Sequence, residues 1–147
     1  MIKYRELRKR QQKEFETLPL HFAFGQKQLD QMLRGCGLDP KEDLDKIISI
    51  GAGGYILPKD VPLLIQMSTR HKREISEAIA TDESGEGFIF DMFLSELMDH
   101  EFVHTGDPSD ALEALGYTEA KVLADPWLKY GLEKAIAAIY HSDLGVG

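Results

Sequence analysis

His100-Glu101-Phe102-Val103-His104 has the residue types and spacing of a zinc-hydrolase helix. Residues four apart share a helix face, so two imidazoles would grip one zinc ion while Glu101 took a proton from its bound water. The surroundings count against this chemistry. Asp99 puts a charge where such a helix is buried, and Thr105-Gly106-Asp107-Pro108 ends the helix on the last turn of the motif. A third ligand would have to come from Glu113, Glu119 or His141, none of which stands at a diagnostic spacing. The structural alternative places His100 and His104 at a helix C-terminus, where they interact well with the helix dipole.

A second pattern suits calcium. In Asp82-Glu83-Ser84-Gly85-Glu86-Gly87-Phe88-Ile89, Asp82, Ser84 and Glu86 occupy oxygen-ligand positions of an EF-hand loop, followed by its glycine and isoleucine. The bidentate glutamate that should close the loop is replaced by Phe93, so only a weak divalent-cation site would remain. The same residues serve equally as a helix-to-helix turn with acids near a helix start, and that reading is favoured.

Other chemistry is thinner. Gly51-Ala52-Gly53-Gly54 lacks the Lys-Ser/Thr pair and the following helix of a phosphate loop, and reads as a turn. Cys36 could pair with a histidine as a nucleophile, but between Gly35 and Gly37 at a helix end it reads as a small apolar residue. His71 lies on an apolar face and reads as packed. No nucleotide or other cofactor is expected, and enzymatic activity is the less favoured alternative.

The elements that must position these residues are mostly helical. Tyr4, Leu7, Gln11 and Phe15 recur at helical spacing in a basic N-terminal helix within residues 1–18, and Gln26 to Arg34 forms the next helix. Asp39-Pro40-Lys41-Glu42 has the cap, proline and glutamate of another helix start. Pro19 to Phe24 is a buried connector or a strand. Ile47 to Ile50 and Tyr55 to Leu57 flank the glycines as a hairpin. Two long helices come next, from Asp60 to about Ala80 and from about Ile89 to Val103, expected to pack as an antiparallel pair. Asp107-Pro108, Thr118 and Asp125-Pro126 start three more, the last burying Leu128, Leu132, Ala135, Ile136 and Ile139. Residues 142–147 read as a loose tail. The expected fold is mainly α: a single-domain helical array over residues 1–147 with one small β-hairpin.

At 147 residues, 43% hydrophobic and 29% charged, the chain can bury a core without disulfides. No apolar run approaches the roughly 20 residues that span a bilayer. One cysteine and a charged N-terminus suit a reducing cytoplasm, so the expected location is cytoplasmic, with no membrane partner. The formal charge of −8 is unevenly distributed. Lys3, Arg5, Arg8, Lys9, Arg10 and Lys13 face a single acid, Glu6, in the first thirteen residues, whereas residues 74–120 hold 13 acids and no Lys or Arg. Such a window suits a basic protein surface, a second copy of the chain, or the chain's own basic end. It disfavours direct nucleic-acid binding as a role.

His21-Phe22-Ala23-Phe24, Ile50-Gly51-Ala52-Gly53-Gly54-Tyr55-Ile56, Gly87-Phe88-Ile89-Phe90-Asp91-Met92-Phe93, and His100-Glu101-Phe102 with Thr105-Gly106-Asp107 together resemble an uncharacterised family. Its members are small acidic proteins from gut Firmicutes and their phages. The resemblance implies a bacterial, mobile-element setting and no mechanism. The function expected is therefore a non-catalytic protein-interaction module of phage type, using the acidic surface of residues 74–120. The alternatives are a zinc hydrolase at His100, Glu101 and His104, and a weak cation site at Asp82, Ser84 and Glu86.

Overall fold

A computed structural model describes residues 3–146, the side chains of 143–146 excepted. Met1, Ile2 and Gly147, the outer ends of the expected N-terminal helix and tail, lie outside the described residues. The fold is mainly α, with eight α-helices and one small antiparallel sheet among the described residues. The chain divides into two compact units, one of residues 11–72 and one that joins the segment up to Arg10 with the chain from Arg73 onward.

The 11–72 unit contains the end of α1 (Tyr4–Phe15), then β1 (His21–Phe22), α2 (Gln26–Gly35), β2 (Ile48–Gly51), β3 (Gly54–Ile56) and the first part of α3 (Val61–Ala80). The hairpin forms where the glycines and β-branched runs require it. Ala52 and Gly53 both have positive φ, the turn geometry whose twist matches that of the flanking strands. The Pro19 to Phe24 stretch adds a third strand, since β1 pairs with β3 through His21 opposite Tyr55 and Phe22 opposite Gly54. Ala23, Leu33, Ile47 and Ile56 are the buried apolar residues of this unit. One expected helix is absent. Asp39 Oδ1 does accept from the amides of Lys41 (2.8 Å) and Glu42 (3.2 Å), as a cap should. The chain then makes only a 3₁₀ turn, Leu44–Lys46, before β2 claims it, which leaves too few residues to propagate a helix.

The other unit is built around α4 (Phe88–Asp99), with α5 (Phe102–Thr105), α6 (Ser109–Ala114), α7 (Glu119–Ala124) and α8 (Pro126–Val146). Phe88, Ile89, Met92, Phe93 and Leu97 are almost wholly buried, a burial that contributes on the order of 10 kcal/mol of transfer free energy. Leu128, Leu132, Ala135 and Ile139 of α8 join that core, as the helical stripe implies, and so do Tyr4 and Leu7 of α1. The principal partner of α4 is α8 rather than α3, contrary to the expected antiparallel pair. From α3, Ile75, Ala78 and Ile79 pack against the core only half-buried. One further expectation is corrected. The helix expected to reach Val103 stops at Asp99, because Glu101 takes a left-handed conformation (φ 55°, ψ 33°) and turns the chain into α5. The backbone of α8 runs from Pro126 to Val146.

Helices α4 and α8 approach closely at Gly131. A Cβ there would stand 2.4 Å from Ile89 Cγ2 and 2.9 Å from the Gly85 carbonyl oxygen, inside any tolerable contact. Gly131→Ala should therefore cost about 1–3 kcal/mol through overpacking, read as a lower denaturant midpoint with an unchanged slope. A variant as stable as the parent would show that the two helices have room to spare.

Candidate functional site

Helix α4 begins from a turn organised by one carboxylate. Asp82 is 7% exposed. Its Oδ1 accepts from Ser84 N (3.1 Å), Ser84 Oγ (3.1 Å) and Gly85 N (2.9 Å), and its Oδ2 from Gly87 N (3.1 Å) and Ile89 N (3.0 Å). Burial alone would raise the Asp82 pKa. The Ile89, Ser84 and Gly85 amides and the Ser84 hydroxyl outweigh it and hold the carboxyl below the ordinary aspartate range. Ser84 Oγ accepts from Glu86 N, and Glu86 Oε1 accepts from Tyr130 Oη at 2.7 Å with Lys134 Nζ 3.8 Å away. Asp82, Ser84 and Glu86, the calcium candidates, are thus already engaged with the protein's own donors. The closing position, Phe93, is buried in the core.

The zinc candidates do not share one helix. His100 ends α4, Glu101 is left-handed and exposed, and His104 lies exposed on the single turn of α5. His100 Nε2 sits 3.3 Å from Glu96 Oε2, and the other oxygen of Glu96 accepts from Tyr4 Oη at 2.5 Å. Among the described residues, no group of three His, Cys, Asp or Glu ligand atoms includes His100, His104, Asp82 or Glu86. Glu113, Glu119 and His141, the conceivable third ligands, are exposed on α6, α7 and α8.

The basic N-terminus meets acids of its own chain. The Tyr4 amide donates to Asp91 Oδ2 at 2.6 Å, Arg5 Nε donates to Ser95 Oγ at 3.1 Å, and an Arg5 terminal nitrogen reaches Asp99 Oδ1 at 3.3 Å. Arg10 pairs with Glu74. Burial first, and then the hydrogen bond to Glu96, raise the pKa of the Tyr4 phenol, so it stays a donor throughout the physiological range. The acids of residues 74–120 therefore fall into two sets. Glu74, Asp82, Glu86, Asp91, Glu96, Asp99 and Asp107 bond to groups of the chain itself, whereas Glu77, Glu83, Glu101, Asp110, Glu113 and Glu119 are exposed.

Beside the Asp82 turn lies an aromatic surface that the sequence does not single out. Trp127 is 52% exposed and Tyr130 is 37% exposed. A Cβ on Gly85 would stand 3.0 Å from the Trp127 carbonyl oxygen and 3.1 Å from Tyr130 Cδ1, so the turn lies directly against this part of α8. The available signal is position: both rings fall off the Leu128-Leu132-Ala135-Ile139 stripe, on the polar face.

In the 11–72 unit, Cys36 Sγ lies 3.8 Å from His21 Nε2 and 3.9 Å from Nδ1. The thiol favours neither nitrogen, and Cys36 stands at the C-cap of α2. His71 is half-buried, with Nε2 3.8 Å from Glu14 Oε1, while Arg70 pairs with the same carboxylate. No described helix is long and apolar enough to cross a membrane.

Two measurements check this geometry. Asp82→Ala should lower stability by roughly 2–3 kcal/mol at neutral pH, because it strips a helix start of its acceptors. The Asp82 pKa is depressed in the fold, so its contribution is full above the ordinary aspartate value of about 3.9 and fades as pH falls through the native value. The gap between variant and parent should accordingly narrow in acid; a gap independent of pH would mean that the carboxylate charge is not what holds the turn. Glu101→Gly should raise stability by about 1 kcal/mol by relieving the left-handed backbone, whereas a loss would assign the side chain a structural role.

No curated protein and no solved structure matches this chain. A model for a family of unknown function, DUF7659, matches residues 3–138, which takes in α1, the sheet, the Asp82 turn and most of α8; the chain belongs to that family.

Proposed function

We propose that this protein is a non-catalytic interaction module that binds a basic protein surface through the acids of residues 74–120. The carrying observation is the division of those acids. Glu83, Glu101, Asp110, Glu113 and Glu119 point to solvent from a segment with no Lys or Arg to neutralise them. A field of one sign steers an oppositely charged partner and repels nucleic-acid phosphates. Tyr4 and Arg5 engage Asp91, Ser95, Glu96 and Asp99 within the chain, which favours a foreign partner over a second copy. The family resemblance suggests a bacterial cytoplasm and a phage or mobile-element setting.

The test is capture from a bacterial lysate at low salt with release at high salt, comparing the parent with a quadruple variant, Glu83→Gln, Asp110→Asn, Glu113→Gln and Glu119→Gln. Contacts between exposed charges are screened beyond about 10 Å at 0.1 M salt, so the captured proteins should elute as salt rises. The variant should retain them roughly tenfold less well. Equal capture by both proteins, or nothing that salt releases, would contradict the proposal.

A further inference from the structure

The geometry points to the surface formed by Trp127, Tyr130, Glu83 and Glu86 as the docking site for an arginine-bearing segment of a partner protein. The inference rests on the reading that the acidic surface takes a basic partner, and it gives that reading a place. Trp127 and Tyr130 are three residues apart on α8 and so share a face, and the Gly85 turn packs against the Trp127 carbonyl oxygen and the Tyr130 ring. Glu83 and Glu86 are exposed on that same turn, and Glu86 is tied to the Tyr130 hydroxyl at 2.7 Å. Two half-exposed aromatic rings, with Glu86 bound to one of them and Glu83 on the same turn, combine what a guanidinium binds best: a flat π face to stack on and carboxylates to accept its N–H groups.

The chain itself carries a small version of this contact. Lys134 Nζ stands 5.5 Å from the Tyr130 ring centroid and 3.8 Å from Glu86 Oε1, a cation held by one ring and one carboxylate. Trp127, the larger ring, has no such cation among the described residues and remains open. The platform is also rigid. Asp82 fixes the turn through five donors, and a Cβ at Gly131 would collide with both the Gly85 carbonyl oxygen and Ile89. A partner therefore meets a preformed surface and loses little entropy in ordering it.

Trp127 is the only tryptophan of the chain, so its emission reports this surface directly. The full chain is titrated at low salt with an Arg-Gly repeat peptide of about eight residues, with calorimetry in parallel. A saturable change in emission is expected, with weaker binding of the Lys-Gly peptide of equal charge. Trp127→Ala should weaken calorimetric affinity for the arginine peptide roughly threefold to tenfold, Trp127→Phe should restore most of it, and Glu83→Gln with Glu86→Gln should lower it comparably. Glu42→Gln with Asp45→Asn, two exposed acids outside residues 74–120, should leave it within about twofold. Binding that ignores Trp127→Ala and falls with Asp110→Asn and Glu113→Gln would overturn this site while leaving the acidic-surface reading intact. Equal affinity for the two peptides would overturn the arginine assignment. Binding of neither peptide would overturn this site, and the salt-released capture from lysate then decides the acidic-surface reading separately. A concentration-dependent emission change without peptide, with dimers by light scattering, would make the occupant a second copy and overturn the proposal.

Discussion

The five hydrogen bonds into the Asp82 carboxylate are the constraint on which the arrangement of the larger unit depends. A buried carboxylate without donors would be costly, and amides at a helix start without acceptors would be costly too. Each meets the need of the other here, and the solution fixes where α4 begins and in which direction it leaves the turn. With that origin set, Phe88, Ile89, Met92, Phe93 and Leu97 fall on the core, and the Gly85 backbone comes to rest against α8. The exposed flank of the same turn carries Glu83 and Glu86, and Glu86 reaches the Tyr130 hydroxyl. Structural and surface roles thus meet within six residues.

The charge asymmetry has a comparable two-part resolution. Part of the acidic window faces inward to the first turns of α1, where Tyr4 and Arg5 contact Asp91, Ser95, Glu96 and Asp99. Individually exposed pairs such as Arg5 with Asp99 add little. The Tyr4 hydroxyl and amide, partly shielded and bound to carboxylates, contribute more. The acids outside this contact lie in the second half of α3, on the turn, at the α4–α5 break and around α6 and α7, and those at helix starts suit the helix dipole.

Much of this was legible in the residues. The stripe of α8, the caps Thr118 and Asp125, and the glycine hairpin each carry a local signal that tertiary packing did not override. The break at Glu101 carried none: Phe102 continues the helical period of Leu97 and Met98, and a glutamate gives no hint of a left-handed backbone. The zinc motif was a property of spacing on a helix that the chain does not build as one piece. The Asp82 turn was ambiguous for a different reason. Oxygen side chains two residues apart can point at a cation or at backbone amides, and only the distances tell which. At Asp39 the cap forms as its sequence implies, yet the pairing of β2 with β3 stops a helix from growing beyond it. Trp127 and Tyr130 lay outside any motif, since exposure of a ring on a polar helix face becomes meaningful only once its neighbours are known.

The most direct measurement of the central constraint is amide hydrogen exchange at Gly85, Gly87 and Ile89. If the Asp82 carboxylate holds these three amides as part of the core, they should exchange only with global unfolding, as slowly as amides in the middle of α4. Exchange at the pace of a solvated loop, with the middle of α4 still protected, would contradict that picture and leave the turn without its organising role.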